Sequence, residues 1–475
     1  MTAARLLSPE DALAFKADAA IVGTGAGSMA VAGELGRRGM RVIMLEAGPA
    51  LDGDPGRHRR NVHPDDQAFM SELMVRIRPH ANRETPVPGL PGAGAIHSVG
   101  GMFSYWTHMV PRPHRDLEWA GPLPFDIVER FFEQAEELLW ANTALFGEGS
   151  PRQQWVQAEL SAQFGAQTVG PAVLAGRRGP DDRFEWASGD NLLQGAEHNV
   201  AILPNAIVQR VVFAGDRAQA LEALCTTESS KITVEADVFV VGGGLIGTPQ
   251  VLFASGVRDL PALGGYMTDH LNIVTQVMLK DDAPVDPEGA TPVWLHLPVA
   301  PGRDCQVGVL DLIADFKFGY LAEVDPMKVV NIGVFIGTDP VARNRLVFDA
   351  SRSDAFGLPA VSAEIDLTEG DNERAKDALA LAYEVSAAIG QPWYGMNPMI
   401  RPYGSSVHTM GTYRIGTDAE TSVADANSRV WGYENLYVAG NGVIPTKNHC
   451  NPSLTTIAVG LVAGSAIAGE PTASG

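Results

Sequence analysis

Three glycines and a carboxylate near the start of the chain carry recognisable chemistry. The run Asp18-Ala-Ala-Ile-Val-Gly23-Thr-Gly25-Ala-Gly27-Ser28 is a short apolar stretch ending in glycines, the pattern of a buried parallel strand and a tight turn. Gly23 permits the turn and Gly25 lets the backbone approach a pyrophosphate. The helix N-terminus beyond offers free N–H groups and a partial positive charge to that anion. The third glycine position of the fingerprint holds Ser28, with Ala26 and Gly27 before it. Serine is small enough for close helix packing. Glu46 ends the next apolar run, Arg41-Val-Ile-Met-Leu-Glu46, about twenty residues past the glycines, where a ribose-binding carboxylate is expected. Far along the chain, His408, like the chain's other histidines, has a side chain suited to removing a proton near neutral pH. Asn451 precedes Pro452 and an apolar run, which reads as a helix N-cap with Pro at the first helical position.

The elements that must position these residues follow from periodicity. Met29 to Gly39 reads as a helix stopped by Gly39. Asp237-Val-Phe-Val-Val-Gly242-Gly243-Gly244 is a second strand and glycine turn, and Thr248 to Gly256 is expected as its helix, with Pro249 near the first turn. Asp126–Trp140 and Thr368–Ala388 have apolar residues at helical spacing, and Gly390 ends the second helix. Residues 273–365 are rich in Val, Ile, Leu and Phe between Gly and Pro breaks, so several strands are expected there as a roof over the site. Residues 51–95, with many Arg, His and Pro, look like a loop-rich excursion. Leu454–Ile467 is apolar but too short to span a bilayer, and reads as a buried helix.

Composition narrows the partners. The 475 residues carry 35 Lys plus Arg against 56 Asp plus Glu, so the net charge is 35 − 56 = −21. That balance disfavours nucleic acid or an anionic membrane surface and leaves a neutral substrate unaffected. Cys225, Cys305 and Cys450 form no CxxC pair, so no metal site or disulfide framework is expected. With no secretory signal visible, the expected location is cytoplasmic.

Larger blocks add a resemblance. His408-Thr-Met-Gly-Thr412-Tyr-Arg-Ile-Gly416, Asn435-Leu-Tyr-Val-Ala-Gly-Asn-Gly-Val-Ile-Pro445-Thr446 and Asn451-Pro452-Ser-Leu-Thr455-Thr456 stand in order. Residues 18–49, Val99–Pro113, Asp237–Gly256 and Tyr266–His270 add to them. This pattern resembles the glucose–methanol–choline oxidoreductase family, in particular its pyranose oxidase branch and related bacterial glycoside oxidases. The resemblance implies an α/β fold: a Rossmann-type FAD-binding domain and a substrate-binding domain with a mainly antiparallel sheet flanked by helices, as in p-hydroxybenzoate hydroxylase-like flavoenzymes. It places the first at 1–118, 200–272 and 405–475, and the second at 119–199 and 273–404.

The resemblance also assigns roles. His408 and Asn451 would face the flavin ring over the substrate. FAD would be held by Gly23, Gly25, Ala26, Gly27, Ser28, Glu46, Gly100, Gly101, Tyr105, Trp106, Thr107, Val208, Gly440, Asn441, Asn451, Pro452 and Thr456. In fungal pyranose oxidases the residue before the Trp of the flavin-covering loop is a histidine bonded to FAD. Here it is Tyr105, so dissociable FAD is expected. The implied reaction is oxidation of a secondary hydroxyl of a sugar or glycoside, at position 3 ahead of position 2. His408 is the base, hydride goes to flavin N5, and dioxygen reoxidises the flavin to give hydrogen peroxide. A dehydrogenase using another acceptor and a non-redox flavin lyase are the alternatives. His449 either lines the pocket or lies in a surface loop, and Tyr413 and Arg414 read as structural.

Overall fold

The computed structural model describes residues 4–51, 55–62, 87–119, 121–287, 290–311, 325–393 and 396–470. Among them, strands Arg5–Leu6 (β1), Ala19–Val22 (β2), Val42–Leu45 (β3), Val200–Leu203 (β4), Val238–Val241 (β5) and Leu436–Val438 (β10) form one sheet in the order β1-β4-β3-β2-β5-β10. Every pairing in it is parallel. β2, β3 and β4 are buried along their whole length, which is why they read as unbroken apolar runs with no alternation. Helix Ala26–Arg37 (α1) packs on this sheet, and Ser453–Ile467 (α6), almost all of it buried, packs against α1.

Strands His270–Leu279 (β6), Trp294–Leu297 (β7), Gln306–Asp311 (β8) and Val329–Gly337 (β9) build a second sheet. Its order is Gly390–Pro392, β6, β9, β8, β7, Gly170–Pro171, with Met399–Ile400 also paired to β6. Every pairing is antiparallel. Successive side chains alternate faces, and here the two faces differ sharply. Ile273, Val277, Leu295, Leu297, Val307, Val309, Val330, Ile332, Val334 and Ile336 point one way into a separate core. That core includes Val156 and Leu160 of Pro151–Phe164 (α3) and Ala375, Ala378, Ala382 and Val385 of Glu369–Ile389 (α5). His270, Asn272, Gln276, Trp294, His296, Gln306, Asn331 and Phe335 take the other parity. Apolar burial therefore holds the sheet on its helices, and the polar face is left for the site.

Several expectations hold. Phe125–Leu138 (α2) buries Val128, Phe131, Phe132 and Ala135. α5 is capped by the Thr368 hydroxyl and stops at Gly390. Others are corrected. The helix after β5 is Gly244–Ala254 (α4), so it starts four residues early and Pro249 lies inside it. Proline cannot donate to the carbonyl four residues back, and that carbonyl, Leu245 O, accepts instead from the Thr412 hydroxyl at 2.7 Å. Within residues 273–365 not every strand joins the roof, because Arg345–Ser353 and Pro359–Glu364 form a separate hairpin. The excursion at 51–95 falls largely outside the described residues. Asn451 is not the N-cap of α6. Pro452, with φ −78° and ψ −8°, precedes Ser453 in that position, and its carbonyl accepts from Thr456 N at 2.8 Å.

Candidate active site

The turns at the carboxyl ends of β2, β5 and β10 converge, which is where open parallel sheets bind ligands. Gly23 has φ +79°, and a Cβ there would lie 2.4 Å from Gly242 O. A Cβ on Gly27 would lie 2.5 Å from Gly440 N. Larger residues at either position would push these turns apart. Gly25 caps α1 without any side-chain hydrogen bond, and the space beside it is open. The first N–H groups of α1 therefore face a cradle suited to a phosphate. Gly100 N donates to Thr24 Oγ1 at 2.9 Å, and that hydroxyl donates to Glu46 Oε2 at 2.6 Å. Gly101 lies against Gly25. Tyr105, half buried, follows the short 3-10 turn Gly101–Ser104, and the Trp106 indole N–H donates to Ala187 O, with Thr107 next in chain. Val208 follows Ala206, whose N–H donates to Glu46 O. The Thr456 hydroxyl donates to Asn441 Oδ1 at 2.5 Å. Gly23, Gly25, Gly27, Glu46, Gly100, Gly101 and Gly440 thus meet at one rim, and its open glycine cradle and buried acid fit a dinucleotide.

Glu46 is buried and accepts from Thr24 N, Thr24 Oγ1 and Gly48 N. Burial still dominates and pushes its carboxyl up to about 7. A carboxyl raised in the fold contributes stability that is full below its ordinary 4.5 and is lost as pH rises through about 7. Cofactor-stripped protein is therefore expected to lose melting temperature between about pH 5 and about pH 8 more steeply than its Glu46→Gln variant. Parallel pH profiles for the two proteins would count against this burial effect.

The polar face of the antiparallel sheet comes down on the loop between β10 and α6. His408 Nε2 lies 3.3 Å from Asn451 Nδ2. The Asn451 amide oxygen accepts from Gln306 Nε2 at 2.7 Å, and Gln306 Oε1 lies 3.2 Å from His296 Nε2. The His408 Nδ1 atom lies 2.9 Å from His270 Nδ1, and His270 Nε2 lies 2.9 Å from Asn448 O. Burial lowers the His408 pKa to about 4, so its ring is neutral at ordinary pH. The Asn451 amide thus has two side-chain partners, Gln306 and His408.

The main chain of His408 is fixed separately. Asp269 accepts from Gly404 N at 2.6 Å and from the Ser406 hydroxyl, which itself accepts from His408 N at 3.0 Å. Val407 between them has φ +53°. That left-handed conformation is costly for a β-branched residue and is found where surrounding structure imposes it. His449 is buried beside the site, and its Nδ1 accepts from Gly337 N at 2.9 Å. Glu118, also buried, accepts from the N–H groups of His449 and Cys450. Tyr413 packs under Gly440 and Gly442 and donates to Ala439 O, and Arg414 lies over Tyr266. Sequence reasoning passed over Asp269, His270, Gln306 and Glu118. For His270 and Gln306 the available signal was the polar parity of β6 and β8.

Built this way, the site belongs to an oxidoreductase acting on CH–OH groups. Known proteins agree. Two family models, both described as GMC oxidoreductase, match residues 179–272 and 340–460. A C-glycoside 3-oxidase of Microbacterium trichothecenolyticum is 30% identical over 96% of this chain and 97% of its own. A pyranose 2-oxidase of Tricholoma matsutake is 28% identical over 84% of this chain and 77% of its own. Among solved structures, formate oxidase of Aspergillus oryzae superposes with TM-score 0.72 at 14% identity, covering 98% of this chain and 99% of its own. Pyridoxine 4-oxidase of Mesorbium loti gives 0.68 at 16% identity, covering 95% and 99%. The chain belongs to the GMC oxidoreductase family. No helix among the described residues is long and apolar enough to cross a membrane.

Proposed function

We propose that the protein oxidises a secondary ring hydroxyl of a sugar or glycoside, at position 3 ahead of position 2. It would use non-covalent FAD and pass electrons to dioxygen. The observation that carries this reading is the meeting of neutral His408 Nε2 with Asn451 Nδ2 where the two sheets join. The relatives named as glycoside and pyranose oxidases support the substrate class, and the 3-oxidase relatives support the position. The parallel sheet and its glycine turns are read as a Rossmann-type FAD domain spanning 1–118, 200–272 and 405–475. The remainder, 119–199 and 273–404, is read as the substrate domain. The boundary at 272 falls just inside β6.

His408 Nε2 takes the hydroxyl proton, and the Asn451 amide N–H holds the hydroxyl oxygen in line, so orientation supplies part of the rate. The pyrophosphate would lie on the α1 N-terminus between Gly23 and Gly27, the ribose at Glu46, and the ring system under Gly100–Thr107 and beside Gly440 and Pro452. Bound flavin supplies the acceptor for the hydrogen leaving the carbinol carbon and returns the electrons to dioxygen. Tyr105 stands where the bonding histidine of fungal pyranose oxidases would be. His108 is enclosed by the rings of His58, Trp106 and Trp186. Both features support dissociable FAD. The three cysteines are buried free thiols, which supports a reducing, cytoplasmic setting.

Anaerobic addition of D-glucose and of an aryl C-glycoside is expected to bleach the flavin with at least one of them. In air, one peroxide should form per sugar oxidised. Bleaching without peroxide would mean a dehydrogenase, and conversion without bleaching a lyase. Acid-precipitated protein should leave its flavin in the supernatant, and flavin in the pellet would overturn the non-covalent reading.

A further inference from the structure

The register of β6 brings a second histidine onto the candidate base. His270 and His408 meet edge to face, with ring centroids 4.8 Å apart and planes at 79°. Their Nδ1 atoms are 2.9 Å apart, so one of the two must carry the proton that joins them. Which one follows from the far side of the His270 ring. Its Nε2 lies 2.9 Å from the carbonyl oxygen of Asn448, an atom that can only accept. His270 Nε2 therefore carries hydrogen.

His270 is buried, and its polar contacts are that carbonyl and the His408 ring. The neighbouring Asp269 carboxylate is taken by Gly404 N–H and the Ser406 hydroxyl. With no anion on its ring among the described residues, burial keeps His270 neutral. A neutral ring with hydrogen on Nε2 has a bare Nδ1. His408 Nδ1 must then be the donor, and neutral His408 is left with a bare Nε2. The opposite chain of bonds agrees. Gln306 Nε2 donates to Asn451 Oδ1, which turns the Asn451 N–H groups toward His408 Nε2, an atom that must accept.

We infer that His270 is a positioning residue that relays the Asn448 carbonyl to His408, fixing the His408 tautomer so that Nε2 is the bare nitrogen facing the substrate. When Nε2 takes the substrate's hydroxyl proton, the Nδ1–H stays on His408. It becomes a charge-assisted donor to the His270 lone pair, a stronger hydrogen bond than before. No second proton moves. Without the acceptor at His270, the other tautomer becomes accessible, with hydrogen on Nε2 and no base toward the substrate.

The rate consequence rests on the proposed function, and the tautomer itself does not. In holoenzyme labelled with 15N-histidine, long-range 1H–15N correlation should show His408 protonated at Nδ1 and bare at Nε2, its signal being the one lost in His408→Ala. His270→Leu should shift His408 toward the Nε2-protonated form. His270→Asn, whose amide oxygen can accept near the Nδ1 position, should restore the native form. Wild-type His408 protonated at Nε2, or an unchanged tautomer in His270→Leu, overturns the inference.

In stopped-flow reduction with whichever of D-glucose or the aryl C-glycoside bleaches the wild type, His270→Leu should slow the limiting rate by about 10²-fold at unchanged FAD content. His270→Asn should recover most of that loss. Equal slowing in both variants would mark a merely structural histidine and overturn the relay. If neither sugar reduces the wild type, the proposed function fails, while the spectroscopic result still decides the tautomer.

Discussion

Replacing His408 by Ala is expected to slow flavin reduction by about 10²–10⁴-fold, the usual size of a general-base contribution. Neutral His408 presents Nε2 beside Asn451, and proton removal from the substrate has no equivalent acceptor there. His449 is not a substitute, because its Nδ1 is taken by Gly337 N–H. The loss should be confined to chemistry. The loop carrying His408 is held through its backbone by Ser406 and Asp269, contacts that remain when the imidazole is removed. FAD content should therefore stay near that of the wild type. With a pKa of about 4, the base is uncharged throughout the neutral range. Its own titration should then lower the wild-type reduction rate only as pH falls towards about 4, where the ring gains a proton and can no longer accept one. Anaerobic stopped-flow reduction at saturating substrate is the measurement. A His408→Ala protein that reduces at close to the wild-type rate would remove His408 from the mechanism.

How much of this was readable in the sequence depended on how local the cause was. The β2–α1 turn was legible because one short stretch contains its whole explanation: a fully buried strand, then glycines whose missing side chains admit Gly242 and Gly440. The Thr368 cap and Gly390 stop of α5 are equally local. Asn451 was misread for the converse reason. Cap preference is a local tendency, and Gln306, 145 residues away, offers its amide a better partner. Pro249 inside α4 likewise depends on a distant hydroxyl, that of Thr412. His270 was passed over although β6 alternates polar and apolar residues along much of its length. Alternation shows that a face is polar, but the register with β9 and the position of the Asn448 loop decide what that face touches. Glu118 was invisible in the same way, since two of its three partners, His449 and Cys450, lie more than 300 residues along the chain.

Glu118 carries the second large effect. Its carboxylate accepts from His114 N at 2.6 Å, His449 N at 2.6 Å and Cys450 N at 3.0 Å. Cys450 N has a second acceptor in Asn448 Oδ1 at 2.8 Å, so Glu118→Ala strands two backbone donors and not three, buried His449 N and half-buried His114 N. Each unsatisfied buried donor costs about 1–3 kcal/mol, so a loss of about 2–6 kcal/mol is expected. The same bonds hold the chain just before Asn451 and just after the Asn448 carbonyl, the two groups that orient His408. Glu118→Ala should therefore slow flavin reduction as well as lower stability, although Glu118 is bonded to backbone and to none of the reacting groups. Burial raises the carboxyl above its ordinary range without removing its acceptor oxygens. Glu118→Gln keeps one of those oxygens and should fall between wild type and Glu118→Ala in both measurements. Denaturant unfolding and stopped-flow reduction on the three proteins give the ranking. If Glu118→Ala unfolds at the wild-type denaturant concentration, water has replaced the carboxylate and the loop does not depend on it. If stability falls but the reduction rate does not, Asn451 and Asn448 are held in place by the antiparallel sheet alone.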